Sequence, residues 1–251
     1  MRTPDDPRLS GAKRPPESAS GDRSRAVEDY LKAICMLQSE GAPVSTSALA
    51  QQLDRSPASV TNMVKGLAER GLVEHEPYRG VKLSAAGERE ALRIIRRHRV
   101  IEAYLIQRLG YAWDEVHAEA ERLEHAASDE LVERMAASLG HPEMDPHGSP
   151  IPTADGELAE RRHPTLDTLT AGTRAIVREV SDADEGRLRY LAELGMYPGT
   201  GVEVLEHEPF EGPIRIRIDG EERVLGRSLA EVVRVEPQED EPESGTEGEA
   251  T

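Results

Sequence analysis

The apolar positions of this chain change period several times, and each change marks an element. Val27, Tyr30, Leu31, Ile34 and Leu37 recur at helical spacing and predict a first helix over 24–40. A short helix follows at 48–53, led by the capping residues of Val44-Ser45-Thr46-Ser47. Asp54-Arg55-Ser56 reads as a turn, and Pro57 opens the next helix with Ser56 as its cap. That helix runs through Val60, Val64 and Leu67 to Gly71, a C-terminal stop. Two short helices about a tight turn make a helix-turn-helix. Leu72–Glu76 and Val81–Leu83 then predict two short strands around Tyr78-Arg79-Gly80, a wing. The helical period returns from Ser84 through Leu92 and Ile95 to Leu109, where Gly110 ends it. Val116, Ala120, Leu123, Ala127, Leu131 and Met135 predict one further helix over 113–139.

Beyond this point the pattern shortens. His141–Pro152 is a Pro/Gly-rich turn with its histidines expected in solvent, and 153–169 is a polar linker. Strands are expected at 175–180, 201–205, 214–218, 222–225 and 232–235, with a helix at 185–194 and a hairpin turn at Asp219-Gly220. The expected fold is mainly α with small β. It comprises a mobile arm (1–22), a winged helix-turn-helix domain (23–90), a helical metal-binding and dimerisation domain (91–152), the linker, an SH3-like β-barrel (170–236) and an acidic disordered tail (237–251).

Composition narrows the setting. The formal net charge is −17, and lysine occurs only at 13, 32, 65 and 82. An acidic, Arg-biased surface suits a high-salt cytoplasm, and a GC-rich genome would give the same bias. The single cysteine, Cys35, allows no disulfide within the chain and is expected to be buried in the first helix. No apolar run approaches the roughly 20 residues that span a bilayer. No secretory signal pattern opens the chain. A cytoplasmic protein without a membrane partner is expected.

Two sets of residues carry chemistry. On the second helix of the helix-turn-helix, Ser56, Ser59, Thr61, Asn62 and Lys65 form the outward face, joined by Arg79 of the wing. Small hydroxyl and amide side chains reach base edges, and the cations suit phosphates, so the expected partner is a double-stranded DNA operator. The other set is His98-x3-Glu102 and His117-x3-Glu121-x2-Glu124-His125. Spacings of three and four put such residues on one helix face. Two facing helices of this kind gather imidazoles and carboxylates, a donor set suited to a borderline-to-hard divalent ion. Both helices are also apolar enough to bury against a second copy, so a homodimer is expected.

The chain resembles the diphtheria-toxin-repressor family of metal-dependent transcriptional repressors. The resemblance rests on Glu28-Asp29-Tyr30-Leu31, Ser59-Val60-Thr61-Asn62-Met63-Val64, Tyr78-Arg79-Gly80, His98-Arg99-Val100-Ile101-Glu102, the His117–His125 cluster and Gly148-Ser149-Pro150-Ile151-Pro152. Gly195-Met196-Tyr197-Pro198-Gly199 is similar to the SH3-like domain of ferrous-iron transport accessory proteins. The resemblance implies one metal site of Asp29, Glu121, Glu124 and His125. It implies a neighbouring site of His98, Glu102 and His117, with possible help from Asp182, Asp184 or Glu185 of the barrel. Iron-sensing members typically carry Cys where Glu121 stands and Met where Asp29 stands. Manganese sensors carry Glu and Asp there, as this chain does, yet those of the two-metal type have a second acid where Lys32 stands and usually lack the barrel.

The resulting reading is a Mn(II)- or Fe(II)-dependent DNA-binding regulator, a repressor of metal-uptake genes and not an enzyme. The alternatives are a carboxylate/His metalloenzyme, disfavoured because no Glu-x-x-His pair repeats on two helices, and an iron-transport accessory or buffering protein. Because hard Mn(II) gains little from sulfur, Glu121→Cys should move metal preference toward Zn(II) and away from Mn(II). Competitive titration of the two metals reads this directly, and an unchanged preference would remove Glu121 from the ligand set.

Overall fold

The computed structural model describes residues 17–41, 43–76, 79–159 and 163–238. The N-terminal arm up to residue 16, Tyr78 of the wing and the tail from 239 lie outside these. The chain divides into two compact units, 1–91 and 92–251.

In the first unit, α1 (Glu17–Glu40) includes residues seven positions before the expected helix start at 24, so the expected arm is helical over 17–22. α2 (Thr46–Gln52) is capped by Ser45, whose hydroxyl accepts from the Ala48 amide. α3 (Pro57–Glu69) is capped by Ser56, whose hydroxyl accepts from the Ser59 amide. The wing pairs β1 (Val73–Glu76) with β2 (Gly80–Leu83) in antiparallel register, Val73 opposite Leu83 and Glu76 opposite Gly80. Val44 adds a bridge to Val81. A side chain on Gly80 would put Cβ 2.6 Å from the Val44 carbonyl oxygen, and its φ of +107° suits glycine alone. Leu31, Ile34, Leu49, Val60, Val64, Leu67 and Val81 fill the core. Cys35 is half-buried at the rim of that core, less enclosed than expected.

α4 (Ala85–Leu109) supplies its first turns to this unit and the rest to the second. The helix expected over 113–139 is two helices, α5 (Val116–Leu123) and α6 (Asp129–Ser138). Ser128 causes the break by capping α6, accepting from the Leu131 amide, while Arg93 and Arg97 hold Asp129 at its first position. The chain is thereby freed to turn at 124–128, where Glu124 and His125 stand.

The barrel is a five-stranded antiparallel sheet with strands β3 (Arg174–Val180), β4 (Gly201–His207), β5 (Ile214–Ile218), β6 (Glu221–Leu225) and β7 (Val233–Pro237). Their spatial order is β6-β5-β4-β3-β7. Asp219 and Gly220 turn with φ of 49° and 81° between Ile218 and its partner Glu221, as a two-residue hairpin requires. α7 (Glu185–Glu193) and α8 (Arg227–Ala230) complete it. The barrel core starts inside the expected linker, because Leu166 and Leu169 are buried in it and Thr165 bridges Arg234. Among the described residues, no helix is long and apolar enough to cross a membrane.

Two helix glycines should answer alanine with opposite signs. Cβ at Gly87 would lie 1.9 Å from the Leu72 carbonyl oxygen, whereas Gly66 has nothing within 4 Å. Gly87→Ala should cost about 1–3 kcal/mol through forced backbone movement. Gly66→Ala should be neutral or stabilise by up to about 1 kcal/mol. Denaturant midpoints of the two variants measure this, and equal effects would contradict it.

Candidate metal centre

His98 and Glu102 lie one turn apart on α4, and both are buried. His98 sets the geometry through its two nitrogens. Nδ1 is 2.6 Å from Glu124 Oε2, which directs the ring proton there. Nε2 stands 2.9 Å from Glu102 Oε1 and 3.1 Å from His117 Nδ1. His117 Nδ1, on α5, is 3.2 Å from Glu102 Oε1 and 3.3 Å from Asp182 Oδ2. Four donor atoms from three places in the second unit therefore converge: His98, Glu102, His117 and Asp182.

Asp182 stands between β3 and α7. Asp184 caps α7, its carboxylate accepting from the Arg187 amide, while Asp182 meets His117. Two contacts dock this part of the barrel on the 145–150 loop. The Val180 amide donates to the His147 carbonyl, and the Ser149 hydroxyl donates to Glu179. Cβ at Gly148 would lie 1.9 Å from the Arg178 carbonyl oxygen, so only glycine permits this approach. Trp113 seals the seam, its indole donating to the Pro146 carbonyl and its ring 5.0 Å from that of Tyr197.

Glu121 and Glu124 gather with His98 in a second group, and His125 Nε2 is 3.4 Å from Glu124 Oε1. Glu121 Oε1 is 3.8 Å from nitrogens of both His98 and His117. Of the seven sequence-derived ligands, the second unit thus holds His98, Glu102, His117, Glu121, Glu124 and His125 close together. Asp29 lies half-buried on α1 of the first unit.

The sequence reading missed Asp145 and misplaced His147. Both are buried, with His147 at 0% exposure. A His-Gly-Ser-Pro turn reads as a solvated loop, and only its burial under β3 makes the side chains significant.

The charges of the centre are mutually dependent. Burial opposes ionisation of Glu102, yet hydrogen bonds from His117 and His98 outweigh it and hold the carboxyl down at about 2. Burial alone would lower His117, but Asp182 and Glu102 overcome it and raise the imidazole to about 10. Burial likewise opposes the Asp182 anion, and His117 prevails, keeping that carboxyl below its usual range. Asp145 goes the other way, pushed up to about 7 by burial and by the charge of Glu102. A buried set of carboxylates that requires a cationic partner in its midst fits a divalent ion, which supplies that charge without a proton.

The residues expected to face DNA differ in exposure. Ser59, Asn62 and Lys65 are exposed on α3, and Arg79 is exposed in the wing. Ser56 is spent on capping, and the Thr61 hydroxyl donates to the Pro57 carbonyl at 2.8 Å. Ser59, Asn62 and Lys65 at spacings of three therefore form the exposed edge.

Comparison with known proteins covers the same ground. Residues 22–81 match the N-terminal DNA-binding domain of iron-dependent repressors. Residues 84–153 match their metal-binding and dimerisation domain, and 165–237 match the FeoA domain. The iron-dependent repressor IdeR of Mycobacterium tuberculosis is 32% identical over 224 residues, covering 84% of this chain and 96% of its own length. The diphtheria toxin repressor of Corynebacterium efficiens is 30% identical over 225 residues, covering 84% and 94%. A solved manganese-dependent transcriptional repressor in complex with manganese aligns with a TM-score of 0.79 at 40% identity, over 84% of this chain and all of that one.

The raised value of His117 has a measurable consequence. Its protonation stabilises the metal-free fold fully below its ordinary 6.5, and that contribution is lost as pH rises through about 10. At neutral pH the ring is therefore charged, and ligation requires it neutral. Binding of Mn(II) should release about one proton from His117. Calorimetry in buffers of different ionisation enthalpy counts it, and His117→Gln should abolish the release. No buffer dependence in the unaltered protein would refute this electrostatic picture.

Proposed function

The chain belongs to the iron-dependent repressor family of metal-dependent transcriptional regulators, and on that premise we propose that it binds operator DNA as a homodimer when loaded with Mn(II) or Fe(II). The observation that carries the choice of metal is the convergence of His98, Glu102, His117 and Asp182, with Glu121, Glu124 and His125 beside them. This donor set is oxygen and imidazole throughout, without the thiolate that would favour Zn or Cu(I). When bound, the divalent ion supplies a fixed positive charge at the point where these residues meet. The metalloenzyme reading falls, because the family is one of repressors, not enzymes.

The roles of the residues follow. His98, Glu102, His117 and Asp182 form one ligand set, the last of them supplied by the barrel. Glu121, Glu124 and His125 form the other, and the family resemblance assigns Asp29 to it. Glu124 also orients His98 by accepting a hydrogen bond from its Nδ1–H, so the sets share an electrostatic link. Asp29 belongs to α1, the helix that leads into the helix-turn-helix, and its ligation would commit the reading head to one arrangement. Ser59 and Asn62 would read base edges. Lys65, Arg79 and exposed Lys82 would hold phosphates. Leu109, Leu123 and Leu131 remain exposed in the single chain and offer apolar surface to a second copy. Two recognition helices in such a dimer would enter successive major grooves roughly 34 Å apart. Repression of metal-uptake genes in the cytoplasm is the role this arrangement serves.

The test is DNA binding to the protein's own promoter region, titrated with Mn(II), Fe(II) and Zn(II). Mn(II) or Fe(II) should promote binding. Asp29→Ala should keep measurable Mn(II) binding by calorimetry while losing the metal-induced shift of the DNA. Full metal-dependent binding by Asp29→Ala would refute the role given to that residue, and metal-independent binding by the unaltered protein would refute the switch itself.

A further inference from the structure

The wing is fastened to its unit along the outer edge of β2, the edge turned away from β1. There the Val81 amide donates to the Val44 carbonyl at 2.9 Å, and the Val44 amide donates back to the Val81 carbonyl at 3.0 Å. Alternate amides of a strand point to the same side, so the Leu83 amide shares this edge. It donates to a side chain, Oε1 of Gln38 on α1, at 2.7 Å. Gln38 thus continues with a side chain the ladder that Val44 begins with backbone.

This bond joins residues 45 positions apart, and it falls where the wing passes into α4. The next residue, Ser84, accepts from the Gly87 amide at the start of α4, and its hydroxyl donates to the Gly71 carbonyl at 2.7 Å. The hydrophobic core already holds the base of β2, because Val81 is fully buried. What the Gln38 bond adds is a direct tie between α1 and the strand that carries the wing. Asp29 lies on the same helix, nine residues before Gln38. At 3.6 residues per turn that is about two and a half turns, so the two positions lie on opposite faces of α1. One face carries the residue assigned to the metal, and the other carries the residue that grips the wing. Arg79 and Lys82 are exposed on that hairpin.

We propose that Gln38 is a positioning residue for DNA binding. By tying β2 to α1, it makes the helix that carries Asp29 also aim Arg79 and Lys82 at phosphate. The proposal rests on the reading of the chain as a metal-dependent DNA-binding protein. A displacement of α1 on ligation of Asp29 would reach the wing through this bond and the Val44 ladder, a contiguous physical connection whose coupling can be measured.

The experiment uses the full-length protein loaded with Mn(II) and a labelled duplex from its own promoter region. Gln38→Met keeps the length of the side chain and removes its oxygen acceptor, whereas Gln38→Glu keeps an acceptor. Thermal melting establishes folding, and Gln38→Asn, shorter by one methylene, carries the test if Gln38→Met does not fold. Gln38→Met should bind Mn(II) as the unaltered chain does by calorimetry. It should bind the duplex about two- to tenfold more weakly, the size of one lost hydrogen bond. Gln38→Glu should restore most of that loss. A merely structural role would weaken binding whether or not the wing carries its cations, so the changes are repeated in a chain carrying Arg79→Ala and Lys82→Ala. In that background Gln38→Met should add almost nothing, because the contacts it positions are already gone. Equal losses in the two backgrounds, or unchanged DNA binding by Gln38→Met, would overturn the proposal. Failure of the unaltered Mn(II)-loaded protein to bind the duplex is a different result, and it overturns the proposed function and this proposal with it.

Discussion

A carboxylate sealed from water can remain charged only if cations or donors answer it, and Glu102 is such a carboxylate. Much of the second unit is arranged around that demand. His98 sits one turn away on the same helix, and α5 brings His117 to the same oxygen. His117 in turn draws Asp182 out of the barrel. Each group holds its charge because of its neighbour, so removing one leaves the others buried and unmatched. That interdependence suits a site whose state reports the presence of an ion.

The same demand explains why the barrel is joined to the helices through so close a seam. Asp182 contributes only if β3 is held against the 145–150 loop. That contact is made by backbone at Val180 and by the Ser149–Glu179 pair, and Gly148 lets the two backbones approach. Trp113, the single tryptophan, spans the junction by hydrogen-bonding one loop carbonyl and meeting the rings of His147 at a tilt and Tyr197 edge-on. The FeoA-like domain in this way brings Asp182 to His117.

The reading head obeys the opposite rule. Its core is closed by aliphatic side chains, while the outer edge of α3 leaves Ser59, Asn62 and Lys65 in solvent. Ser56 and Thr61 share that stretch of sequence but spend their hydroxyls on the helix itself. On an acidic chain of net charge −17, attraction to a polyanion must come from a few local cations such as Lys65, Arg79 and Lys82.

By itself the sequence determined the elements and their order, because periodicity, caps and turn residues act over a few positions. It placed Ser56 as a cap, Asp219-Gly220 as a hairpin, and the histidines and glutamates of 98–125 as a donor set. The helical pattern over 113–139 hid a break, since the apolar stripe continues through Ser128 while the cap and the Arg93–Asp129 pair end the helix. Tertiary structure alone decided which carboxylates and imidazoles meet. Asp182 and Asp184 are the same residue type two positions apart, yet Asp184 caps a helix and Asp182 faces His117. His147 sits in a turn of polar composition and becomes fully buried only because β3 packs over it. Local sequence carries no information about such burial, which depends on residues some thirty positions away.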